Sequence, residues 1–151
     1  MKMQALIFIL TFVYFAATVT EKIGIDLEFG EGKIFQIRSL DEEPVRYSVL
    51  RSFKRIDIPK KYFYLIKEAF IKNNFKCSSK YSYSNGFYES LSFPEKSNVD
   101  FSQVKMHLHF QNSTSLTFTE NQLFRMEGTN HISNIRTKNN YDIFEFGLSN
   151  N

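Results

Sequence analysis

Apolar residues alternate with polar ones along much of the chain, and the alternation gives way to a clear helical period in one place. In KIGIDLEFGEGKIFQIRSL, Ile23, Ile25, Leu27 and Phe29 alternate with polar neighbours, GEG follows, and Ile34, Phe35 and Ile37 resume. This pattern predicts a hairpin, because glycine supplies the positive φ that a tight turn requires. DEEP reads as a solvated turn, and VRYSVL predicts a short strand from Val45 to Leu50. After Pro59, KKYFYLIKEAFIKNN sets Phe63, Ile66 and Phe70 on one helical face, with Tyr62, Leu65 and Ala69 beside them. Proline suits the first helical turn, so the spacing predicts a helix over Lys60–Lys72 that ends at Asn73 and Asn74 and buries its stripe against a sheet.

Serine, tyrosine and glycine dominate Ser78 to Ser90, which reads as a loop or irregular hairpin around SNG. QVKMHLHF then alternates again, with Val104, Met106, Leu108 and Phe110 on one face and Gln103, Lys105, His107 and His109 on the other. QNST makes a turn, SLTFTENQLFRME returns as a strand, and NNYDIFEFGLSNN supplies a last one through Ile143, Phe144 and Phe146. These elements predict an α+β fold, mainly antiparallel β with one long amphipathic helix. The 17 Phe and 8 Tyr, with no Trp, agree with a sheet-rich chain.

The N-terminus adds a different signal. Lys2 precedes an uncharged apolar run of 13 residues from Ala5 to Ala17, and small residues follow up to Thr20. That is the build of a secretory signal peptide over residues 1–20, too short for the ~20 residues of a spanning helix. An uncleaved anchor or an N-terminal core strand is the other reading of the same run. Cleavage between Thr18 and Glu21 would leave one domain over residues 21–151, secreted or held in an endomembrane or vacuolar lumen, with no second membrane span.

The formal charge of +3 includes Lys2, so the exported chain sits near +2. So mild a charge argues neither for nucleic acid nor for a membrane surface, and leaves a protein or peptide as the partner class. Serine-nucleophile, P-loop, H-E-x-x-H and paired CxxC signatures are absent from the sequence. His107 and His109 lie two apart on a strand and project from one face, yet no third ligand accompanies them, so neither a metal nor another cofactor is expected. Asn112-Ser113-Thr114 is an N-glycosylation acceptor sequence placed in a predicted turn. Cys77 is the only cysteine and therefore an unpaired thiol within the chain.

The order of elements resembles a known family. IDIPKKYFYLIKEAFIKNNFKC, the Tyr-rich segment, FPEKSNVDFSQVKMHLHF, SLTFTENQLF and NYDIFEFG together resemble the C-terminal lobe of pepsin-like aspartic proteases, including the plant branch of xylanase-inhibitor-like proteins. The resemblance spans Val45 to Gly147 and implies half of a two-lobed acid protease. It also implies that Cys77 matches the first half of a lobe disulfide whose second cysteine is missing; a thiol of no such ancestry is the alternative.

One departure governs function. Counting back from Pro59, the family's second catalytic aspartate falls near Leu50, where the loop reads LRSFKRIDIP, and neither D-S-G nor D-T-G occurs anywhere in the chain. Acid proteolysis needs two carboxylates sharing a proton. No catalytic residue is therefore expected, and Asp57 reads as a cap or turn residue before Pro59. Two functions follow: a non-catalytic, degenerate or truncated lobe that binds or inhibits, or a small secreted α+β module, unrelated to proteases, whose aromatic sheet binds a ligand or partner.

Overall fold

The computed structural model describes residues 18–83, 86–95 and 99–150 and builds two sheets, one long helix and one short one. The export run and the Ser84-Asn85 tip of the Tyr-rich segment lie outside the described residues. In the smaller sheet, Ile34–Arg38 (β3), Ile23–Glu28 (β2), Lys105–Phe110 (β8) and Ser115–Phe118 (β9) lie in that order, all antiparallel. The GEG turn closes the first hairpin with Gly30, Glu31 and Gly32 all at positive φ. Ile23, Ile25 and Leu27 of β2 and Met106 and Leu108 of β8 are fully buried on the inner face.

The larger sheet runs Val19–Glu21 (β1), Val45–Leu50 (β4), Ile143–Gly147 (β12), Ile56–Asp57 (β5), Asn130–Thr137 (β11), Phe87–Phe93 (β7) and Ser78–Tyr83 (β6), with Phe124–Glu127 (β10) also paired to β11. It is mixed: β12 runs parallel to β4 and β11 parallel to β5, while its other strand pairs are antiparallel. β6 and β7 pair in unbroken register from Ser78↔Ser92 to Tyr83↔Phe87, where a loop or irregular hairpin was expected. SLTFTENQLFRME is not one strand but β9, a helical turn Glu120–Leu123 (α2) and β10, so the chain leaves one sheet and enters the other. Thr119 and Gln122 cap that turn reciprocally, with the Thr119 N–H donating to Gln122 Oε1 at 3.0 Å.

Helix α1 spans Lys60–Lys72, as the spacing predicts, with Pro59 at its N-cap. Tyr62, Phe63, Ile66, Ala69 and Phe70 are buried, while Leu65 lies on the outer side at 39% exposure. Asn73 closes it by donating its side-chain amide to the Ala69 carbonyl at 2.8 Å, and Asn74 takes a positive φ of 69°. The phenylalanine surplus sits under this helix. Phe70 meets Phe29, Phe75 and Phe93 edge-on at 5.0–5.2 Å, and Phe101 meets Phe75, Phe93 and Phe124 at 5.0–5.4 Å. Edge-to-face packing at these spacings adds favourable quadrupole contacts to apolar burial.

Candidate functional site

The loop Arg51–Arg55 joins β4 to β5, and β12 passes between those two strands beneath it. Gly147, the last residue of β12, donates its N–H to the Arg55 carbonyl at 2.8 Å, Leu148 donates to Leu50 at 2.9 Å and Ser149 to Phe53 at 3.0 Å. Leu50 sits opposite Gly147 in the ladder. The loop thus presents Leu50, Arg51, Ser52, Phe53, Lys54 and Arg55, with the Arg55 guanidinium 4.1 Å from the centre of the exposed Phe53 ring. It carries three cations and no carboxylate where the family resemblance sets its aspartate.

Asp57 is neither a cap nor a turn residue. It lies in β5 at 2% exposure, and the helix N-terminus has no side-chain cap bond. Its carboxylate accepts from Arg136 Nε at 2.6 Å and Nη2 at 3.3 Å and from Arg55 Nε at 3.2 Å. Arg136 in turn stacks on Tyr88, 3.6 Å from the ring centre. The buried Asp57 carboxylate is thus held by two guanidiniums, and Glu145 lies opposite it in the β5–β12 ladder. Next to it, Tyr141 donates to Glu145, and burial followed by that bond pushes the Tyr141 hydroxyl well above the ordinary tyrosine range.

His107 and His109 do share the outer face of the smaller sheet, as their spacing predicts. Each faces a carboxylate of β2: His107 Nε2 lies 2.7 Å from Glu28 Oε1, and His109 Nε2 lies 2.9 Å from Asp26 Oδ2. The other nitrogen of His107 meets Thr117 Oγ1 at 2.9 Å. Among the described residues no group of three or more His, Cys, Asp or Glu side chains is placed to hold a metal ion. His109 and Asp26 border an open cleft of about 280 Å³ whose lining includes Gly24, Arg38 and Thr114. Arg38 is buried there and donates to the carbonyls of Ile23 and Glu43, tying β2 to the segment after β3. Asn112 stands in the exposed turn between β8 and β9, its Oδ1 accepting from the N–H and the hydroxyl of Thr114.

Cys77 is half-buried just before β6; burial pushes its thiol up, and the nearby Lys67 charge offsets part of that. Beside it, Lys67 donates to Ser79 Oγ at 3.0 Å, Ser79 donates to Glu89 at 2.6 Å, and Tyr64 donates to the other Glu89 oxygen at 2.7 Å. The bond to Glu89 pushes the Tyr64 hydroxyl up to about 12. Neither this network nor the Arg136–Tyr88 stack was read from the sequence.

No protein-family model matches the chain, and no curated protein matches it by sequence. Among solved structures, the crystal structure of basic 7S globulin from soybean aligns with a TM-score of 0.52 at 9% identity, over 84% of this chain and 37% of that one. The chain therefore spans little more than a third of that neighbour's length. At such low identity the likeness speaks to the fold alone, and it supports a distant pepsin-like fold.

Proposed function

We propose that this chain is an exported, non-catalytic lobe of pepsin-like descent that acts by binding, or inhibiting through binding, another protein or peptide. The observation that carries the reading is the loop around Gly147: Leu50 holds the position at which the resemblance calls for an aspartate, and Asp57 of β5 is locked between Arg136 and Arg55. The rival reading is a small secreted α+β module, unrelated to proteases, whose aromatic sheet binds a ligand or partner; the phenylalanines under the helix lend it no enclosed cavity, because they pack against one another.

Export fits two local features. Val19–Glu21 pairs with β4, so cleavage after Thr18 would keep β1 whole. Asn112 is exposed in a turn that an oligosaccharyltransferase could reach. The testing experiment expresses the full chain in a eukaryotic secretory host and incubates the recovered product with denatured haemoglobin at acid pH. The expected result is a secreted chain that shifts on glycosidase treatment unless Asn112 is changed to Gln, and that cleaves nothing. Pepstatin-sensitive cleavage would overturn the non-catalytic reading, and retention of the chain inside the cell would overturn export.

A further inference from the structure

Gly24 leaves a bare position on the outer face of the smaller sheet. It stands opposite His109 of β8, and Asp26, two residues on and therefore on the same face, stands opposite Gln36 of β3. A β-carbon at Gly24 would lie 3.3 Å from the Leu40 nitrogen and 3.6 Å from the His109 β-carbon. Around this position lies the open cleft of about 280 Å³, bordered by Arg38 and Leu40 and by the turn that follows β8.

The lining narrows the occupant. It carries both Arg38 and Asp26, so it favours neither an anion nor a cation outright. Its other polar groups include Gln36, Gln111 and Ser113, whose neutral amides and hydroxyl both donate and accept. Two of its donors are unmatched: Arg38 is 2% exposed with no hydrogen-bond partner for its Nε, and the exposed Gln36 amide has none among the described residues. Leu40 and Phe110 add apolar surface. A neutral ligand with hydroxyls, an amide and an apolar face matches this set, and an N-acetylated sugar is such a ligand. The chain itself offers an anchor for one. Gln111 precedes Asn112, Ser113 and Thr114 follow it, and all three line the cleft. Asn112 Oδ1 accepts from the N–H and the hydroxyl of Thr114, which leaves the Nδ2 atom, the point of glycan attachment, unbonded.

We propose that the first N-acetylglucosamine of a glycan on Asn112 folds back into this cleft and ties the β8–β9 turn to β3 and Leu40. This rests on the reading of the chain as exported. The tether holds the sugar at a high effective concentration beside the cleft, so docking needs little intrinsic affinity. Gln36 hydrogen-bonds the sugar, and Leu40 and Phe110 cover its acetyl methyl and C–H face. A sugar that docks only on the folded chain stabilises it.

The test expresses the full chain in a secretory host that adds high-mannose glycans, and trims the product with an endoglycosidase that leaves a single N-acetylglucosamine on Asn112. The expected result is nuclear Overhauser contact between the acetyl methyl and Leu40 or Phe110, with a urea midpoint above that of Asn112→Gln. Gln36→Ala should lower the midpoint of the one-sugar chain toward that of Asn112→Gln, while adding Gln36→Ala to Asn112→Gln should change little. Gln36 is exposed, so its loss does not threaten folding. A sugar on Asn112 without those contacts, equal midpoints with and without it, or a gain that survives Gln36→Ala would overturn the docking and leave export standing. A secreted chain that carries no sugar would overturn the docking as well. Retention of the chain inside the cell would sink export itself, and the docking with it.

Discussion

Gly147 lies so close beneath Arg55 that its N–H bonds to the Arg55 carbonyl at 2.8 Å, and a β-carbon at Gly147 would sit 2.5 Å from that oxygen. The Phe53 carbonyl oxygen is closer still. Glycine is needed here for space rather than for an unusual φ. Gly147→Ala should therefore force backbone apart and cost about 1–3 kcal/mol or more, as overpacking does. A lowered urea midpoint with an unchanged slope checks this.

The phenylalanine cluster makes a second prediction. Phe70 is fully buried against four other rings, whereas Ile71, its neighbour on α1, is 52% exposed. Phe70→Ala should cost about 3–5 kcal/mol, and Ile71→Ala about 0.5 kcal/mol or less, in the same denaturation assay. Equal midpoints would show that α1 does not bury this face.

Alkaline stability should report the bond between Tyr64 and Glu89. The folded hydroxyl is pushed up to about 12 from an ordinary value of 10, so the unfolded chain releases its proton first. The contribution is complete below pH 10 and is lost as pH rises toward 12. Tyr64→Phe should flatten stability against pH across that window, measured by urea midpoints at stepped pH. A wild-type slope in the variant would contradict the assignment.

Much of this fold is legible in the sequence, and the misses have physical causes. The α1 stripe and the β2–β3 hairpin follow from local period and turn chemistry alone. β11 escaped because its alternation is broken: Ile132 and Ile135 are three apart, the register against β7 shifts between Ile132 and Arg136, and Ser133 and Asn134 are buried between them. Ser133 is satisfied there by donating to the Ile135 carbonyl and by accepting from the Leu91 N–H, a partner that lies outside any local pattern. The break after β9 was legible, since T-E-N-Q at Thr119–Gln122 is a capping-box sequence. Asp57 was misread because its partner Arg136 lies 79 residues away, and only parallel pairing of β5 with β11 brings them together.

The account turns on the loop Arg51–Arg55 being a clamp on β12 rather than a catalytic element. Amide hydrogen exchange resolved by residue tests that most directly. The clamp predicts that Gly147, Leu148 and Ser149, whose N–H groups bond to Arg55, Leu50 and Phe53, exchange as slowly as the core amides of Phe144 and Phe146 despite lying near the C-terminus. Exchange of these three amides at the rate of unstructured chain would contradict it.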